Sequence, residues 1–224
     1  MTKKATGPVW APGWALCRKP ATPPEPDKFA NVPGGDIFGF TSGTDVGSPG
    51  DCGVAFEFSG RAGKADGSYR TGTLKTQFGA TIADNFSVAL SPFVTYHHIR
   101  NVTDLEDLSR TQFDGLSGEL SYRFIERSAA MPFAATFSVE PRWARVDGTS
   151  GVGVTAYSAE FKLFLDAVLV ADRLFGAVNL NYAPAIQKTN DDPLGEWVRT
   201  SSTNVSGALT YQVSDRLFLG GEFR

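Results

Sequence analysis

The chain is poor in the residues that most often carry chemistry. Two cysteines and two histidines in 224 residues exclude a cysteine-ligated metal centre and a multi-bridge disulfide scaffold. No apolar run reaches 18 residues. That excludes a helical membrane anchor but not membrane-spanning strands, whose lipid-facing residues interleave with polar ones. Lys plus Arg total 21 against 24 Asp plus Glu, a net charge of −3, so the basic footprint of a nucleic-acid binder is missing. Catalytic signatures are missing too. Gly148-Thr149-Ser150-Gly151 is not a G-x-S-x-G elbow, and Gly151-x-Gly153 lacks the third glycine and following helix of a nucleotide loop. His97 and His98 are adjacent, and neighbours on a strand point to opposite faces, so joint metal ligation is awkward. Asp104, Glu106 and Asp107, and the pair Asp191-Asp192, read as solvated loop charge before they read as a calcium site. No catalytic residue, metal or cofactor is assigned.

What is present is a two-residue period. From Arg70 to Ile82 the even positions Leu74, Phe78 and Ile82 are apolar and the odd positions Thr71, Thr73, Lys75, Gln77 and Thr81 are polar. Past Ala83, Asp84 and Asn85 the alternation resumes with Phe86, Val88, Leu90, Val94 and Tyr96 on one face. This is the pattern of a hairpin with one apolar face. Each arm has at least the roughly 9 to 11 residues that a tilted strand needs to cross a bilayer core.

Residues 1–50 are of another kind. They hold eight of the thirteen prolines and show neither period, so they read as an irregular Pro/Gly-rich segment. Lys3 and Lys4 resemble a positive n-region, but no continuous apolar stretch follows, and no signal peptide is read. Cys17 and Cys52 could close one bridge between this segment and the first strand; spacing alone leaves the bridge and two unbridged thiols equally open.

Residues 51–224 repeat the alternation, with Val54–Gly60, Leu116–Phe124, Phe133–Trp143, Tyr157–Leu165, Leu174–Tyr182, Thr203–Val213 and Leu217–Phe223 as strands, about nine in all. Short connections near 83–85, 125–131, 167–172 and 214–215 alternate with longer ones near 97–111, 144–153 and 184–198. The face opposite the apolar one carries Glu57, Arg61, Lys75, Glu119, Arg123, Glu140, Arg142, Glu160, Lys162, Glu222 and Arg224. A sandwich core would have to bury these charges at several kcal/mol each if unpaired, whereas a lumen hydrates or pairs them. Phe86, Phe124, Phe133 and Tyr211 fall near the short-turn ends, and Tyr96, Trp143, Tyr157 and Tyr182 near the long-loop ends, as interfacial girdles require.

From about Cys52 to Arg224 the chain resembles a Gram-negative, proteobacterial outer-membrane β-barrel of the porin-like kind, with Thr210-Tyr211-Gln212-Val213-Ser214-Asp215-Arg216-Leu217-Phe218-Leu219-Gly220-Gly221-Glu222-Phe223 as strand, periplasmic turn and returning strand. The resemblance implies an all-β, antiparallel, transmembrane up-and-down barrel of 8–12 strands in the cell outer membrane. Its partners would be outer-membrane lipid and lipopolysaccharide, with small hydrophilic solutes if the lumen conducts. Nine strands are odd for such a barrel, so the closing strand is expected either outside this sequence or from the segment around Asp36–Thr44, and Pro92 and Pro141 are expected to disturb their ladders. The expected role is structural or passively permeating, not enzymatic. The alternatives are a small outer-membrane enzyme acting on lipid or lipopolysaccharide through His97 or His98, and a soluble β-sandwich binding module.

Overall fold

The computed structural model describes residues 37–128, 130–191, 195–214 and 217–224. Nine strands follow in chain order: β1 (Cys52–Ala62), β2 (Ser68–Ala83), β3 (Phe86–Arg100), β4 (Leu108–Ile125), β5 (Phe133–Val146), β6 (Gly153–Val170), β7 (Leu174–Thr189), β8 (Val198–Ser214) and β9 (Leu217–Phe223). Each pairs antiparallel with the next, giving one up-and-down sheet that curls into a half-barrel, with no helix among the described residues. The alternation fixes the register. Glu57 lies opposite Lys75, and Phe58 opposite Leu74, so every inward residue meets an inward residue and the apolar set falls on the convex side.

The strands are longer than their apolar alternation alone indicated. β3 continues through His97 and His98 to Arg100 and β4 begins at Leu108, which shrinks the expected 97–111 loop to residues 101–107. Likewise β7 runs to Thr189 and β8 begins at Val198. At the end of β3 the outward row turns polar with His98 and Arg100, so backbone pairing continues past the outward apolar alternation that marks the strand.

The prolines act as expected, but on one side only. Pro92 pairs with Leu116 on β4, while the β2–β3 ladder is interrupted between Lys75↔Phe93 and Phe78↔Leu90. Pro141 pairs with Ala159 on β6, and the β4–β5 ladder lapses between Ser117↔Arg142 and Leu120↔Val139. The missing N–H costs each proline one neighbour and leaves the strand itself continuous. A bulge adds a third irregularity, where Phe93 faces Gly115 but Val94 faces Phe113. Asp114 is the extra residue, and it is buried. A Cβ on Gly115 would lie 2.0 Å from the Trp143 carbonyl oxygen, so only glycine allows β4 and β5 to approach there.

The expected closed barrel is not what the described residues form. No ladder joins β9 to β1. With an odd number of strands the two edges run in the same direction, and direct closure would need a parallel seam, unlike every other pairing in the sheet. The segment 37–51 does not supply a closing strand either, and Asp36 lies outside the described residues. Instead the segment runs as a strap along the concave wall at the short-turn end, meeting the strands nearly in reverse order. Thr210 on β8 donates to the Ile37 carbonyl, and the Glu222 carboxylate on β9 accepts from the N–H groups of Gly39, Phe40 and Thr41. Asp166 on β6 accepts from the Thr44 N–H at 2.7 Å and its hydroxyl at 2.8 Å. Thr136 on β5 donates to the Thr44 carbonyl, and Thr81 on β2 to the Val46 carbonyl. Arg123 on β4 reaches Asp45 at 3.5 Å. A strand-like ladder is not needed, because inward side chains satisfy the strap's backbone one by one.

Two small apolar clusters sit inside the curl. Phe38 of the strap packs with Val168, Phe175, Ala177 and Ala208. Tyr69, Ile99 and Val102 form the other, at the long-loop end. Between them the interior is polar.

Candidate functional site

Strand parity turns one row of side chains from each strand into the curl, and the middle of that interior is a charge layer. Glu140 on β5 is its centre. It accepts from Lys75 on β2 at 2.8 Å, from Lys162 on β6 at 2.6 Å, and from the Ser117 hydroxyl on β4 at 2.7 Å. Lys162 also lies 3.4 Å from Glu119 and 3.4 Å from Glu160. Glu119 further accepts from Ser138 at 2.6 Å and from Gln77 at 3.2 Å. Lys75 and Glu140 are three strands apart, so their contact spans the concavity and ties opposite walls. Such charges are held by pairing and hydrogen bonds in a region where desolvation would otherwise oppose them.

Above this layer, toward the long-loop end, Arg142 meets the bulged Asp114 at 2.5 Å and lies 4.2 Å from the Phe93 ring centroid. The second Asp114 oxygen accepts from the Val146 N–H. Below it, at the short-turn end, Arg127 reaches in from the β4–β5 connection to Asp166 at 2.6 Å.

The expected interior charges therefore divide. Lys75, Glu119, Glu140, Glu160 and Lys162 come together in one network, Arg142 pairs just above it, and Arg123 and Glu222 hold the strap. Arg224 stands on the β9 side, 3.5 Å from Asn204. Glu57 and Arg61 lie on the inner side of the exposed edge strand β1 and make no ion pair among the described residues. Cavities remain between these groups. One of about 480 Å³ is lined by Glu57, Lys75, Phe93, Glu140, Arg142 and Lys162 among others. A second, of about 320 Å³, lies toward the strap and is lined by residues from both edges, Glu57 and Arg224 included.

Three participants escaped the sequence reading. Asp114 sits at the bulge, where the alternation slips by one and parity cannot place it. Arg127 is in a turn and enters from outside the strand pattern. Asp166 did fall on the polar face of its strand, and that parity was the signal that could have added it to the interior set. Cys52 is disulfide-bonded; Cys17, named above as a possible partner, lies outside the described residues, as does Asp192 of the acidic pair.

The two histidines part as neighbours on a strand must. His98 faces outward, 3.2 Å from the Ser109 hydroxyl. His97 faces inward and is 1% exposed, and neither ring nitrogen has a hydrogen-bond partner. Over it lies the β5–β6 connection, residues 147–152. The Asp147 carboxylate accepts from the N–H groups of Thr149 and Ser150 and from the Ser150 hydroxyl. Burial alone would raise the Asp147 carboxyl, but these donors together hold it below the ordinary aspartate range.

A family model described as a family of unknown function (DUF6662) matches residues 30–224, and the chain belongs to that family. No curated protein and no solved structure matches it.

Proposed function

We propose that this member of the DUF6662 family is an outer-membrane β-barrel protein whose interior is braced shut rather than held open as a wide pore, with a structural role or slow passage of small hydrophilic solutes. The observation that carries the reading is the distribution of polarity across one curled sheet. The convex face exposes Phe56, Phe78, Leu90, Leu120, Phe137, Val178, Leu180, Leu209 and many similar side chains, while the concave face holds the paired charges. A water-soluble monomer rarely presents so continuous an apolar surface, and a lipid bilayer requires one. On β5 the outward Phe133 and Trp143 are separated by ten residues. At about 3.3 Å rise per residue and a tilt near 40° that is a band about 25 Å tall, the height of a bilayer's apolar belt. The long-loop end of the band is aromatic: Trp143 lies 6.5 Å from Phe113, and Tyr157, opposite Trp143, 6.2 Å from Trp197.

Open edges are not tolerated in hydrocarbon, where unpaired N–H and C=O groups cost several kcal/mol each. The reading therefore requires that the gap between the co-directional edges β1 and β9 be closed in the membrane, most simply by one strand antiparallel to both. The direct test is heat-modifiable gel mobility, with the chain folded in detergent micelles and, separately, in plain buffer. A shift between boiled and unboiled samples that needs detergent is the expected result. Full folding and solubility without detergent would overturn it and favour a soluble sheet that binds a partner.

A further inference from the structure

We propose that residues 147–152 form a lid over an entrance to the interior for small hydrophilic solutes, with His97 as the first group beneath it. The segment is built as one rigid unit. Asp147 gathers its N–H groups, Gly151 donates back to the Asp147 carbonyl, and Gly151 takes a φ of 73° that a side chain would oppose. It turns inward from β5 and β6 and is held by β2 across the curl and by β4 beside it. Tyr69 on β2 donates to the Thr149 carbonyl at 3.0 Å, and Arg110 and Gln112 on β4 donate to the Gly151 carbonyl at 2.8 and 3.2 Å. The side of Gly151 lies on the His97 ring, where an added Cβ would be 3.0 Å from Cγ.

What lies under the lid makes it an entrance. His97, Thr95 and Phe93 are successive inward residues of β3, and Phe93 lines the cavity of about 480 Å³ together with Arg142 and Lys75. Both His97 nitrogens and the Thr95 hydroxyl are buried without hydrogen-bond partners. Buried polar groups are nearly always satisfied, so a row of three unpartnered polar atoms leading from the lid toward a charged cavity is suited to a hydrophilic visitor and not to packing alone. The latch is made of three side-chain hydrogen bonds to two carbonyl oxygens, weak enough to open locally while the sheet stays intact. The lid's outward direction rests on the barrel reading; its existence does not.

The test uses the two histidines. In a His98→Gln background His97 is the sole imidazole, and its modification by diethylpyrocarbonate is followed by absorbance on the detergent-folded chain, with circular dichroism confirming the fold. Modification should be slow in that background and about tenfold or more faster after Tyr69→Phe with Arg110→Met and Gln112→Met, because lid opening is then no longer opposed by the latch. Tyr69→Phe alone should give a smaller acceleration, and it decides the matter if the triple variant does not fold. Rapid modification with the latch intact, or equal slow rates in every folded variant, would overturn the lid. Neither result depends on whether the chain shifts on a heat-modifiability gel, so failure here and failure of the barrel reading are distinct.

Discussion

Glu140→Gln separates a braced interior from a water-filled one. The substitution keeps the shape of the side chain, and an amide oxygen in the Oε1 position still accepts from Ser117 and Lys75 while the NH2 group takes the place of the acceptor of Lys162. What is removed is the negative charge between the two lysines. Lys162 retains Glu119 and Glu160, each at 3.4 Å. Lys75 has no other ion pair among the described residues, and its side chain is 16% exposed. Leaving one partner of a buried pair uncompensated typically costs about 3 to 5 kcal/mol, and with only one lysine orphaned the lower end, about 3 kcal/mol, is expected. In urea titrations of the folded protein in detergent, followed by unboiled gel mobility, that corresponds to a midpoint lower by roughly 1 to 3 M for a slope of about 1 to 3 kcal/mol per M. Adding Lys75→Met removes the stranded cation and should restore about half of the loss or more. A Glu140→Gln protein within about 0.5 kcal/mol of the parent would refute the reasoning, because lysines that tolerate the loss of their partner are hydrated, and the interior would then be an aqueous channel.

Three further outcomes follow from the geometry. Asp166→Asn replaces the charged acceptor of the two Thr44 bonds and the Arg127 ion pair and should release the strap, seen as proteolytic cleavage within 37–51 and a stability loss of about 2 to 4 kcal/mol; an uncut strap would mean that Glu222, Thr136 and Thr81 suffice. Leu120→Arg, in the middle of the convex belt, should destabilise the protein in lipid vesicles by about 2 to 4 kcal/mol, and an unchanged vesicle refolding curve would argue that this face does not meet lipid. Asp147 sits below the ordinary aspartate range in the folded loop, so its contribution is fully present above the unfolded value of about 3.9 and is lost as pH falls through the lower folded one. The parent should therefore lose loop protection, measured by hydrogen exchange at Ser150, only at strongly acid pH, while Asp147→Asn should show the weakened loop at every pH; identical acid limbs would exclude Asp147 as the organiser.

The period of two determined a great deal. It marked nine strands, the face that each residue presents, and the shared polar face of Glu57, Lys75, Glu119, Glu140, Arg142, Glu160 and Lys162, because alternation leaves a strand residue only two directions to point. It could not show that Lys75 and Glu140 touch, since two strands, β3 and β4, lie between them and only the curl of the sheet brings their side chains together. It could not place Asp114, because a bulge shifts parity without any mark in the alternation. Nor could it read the strap, whose residues 37–51 have no period at all: their path is set by Thr81, Thr136, Asp166, Thr210 and Glu222, each contributed by a different strand. Local side-chain direction is written in the sequence, because it depends on neighbours along one strand. Which interior groups meet depends on curvature and on contacts between distant strands, and these only the tertiary structure decided.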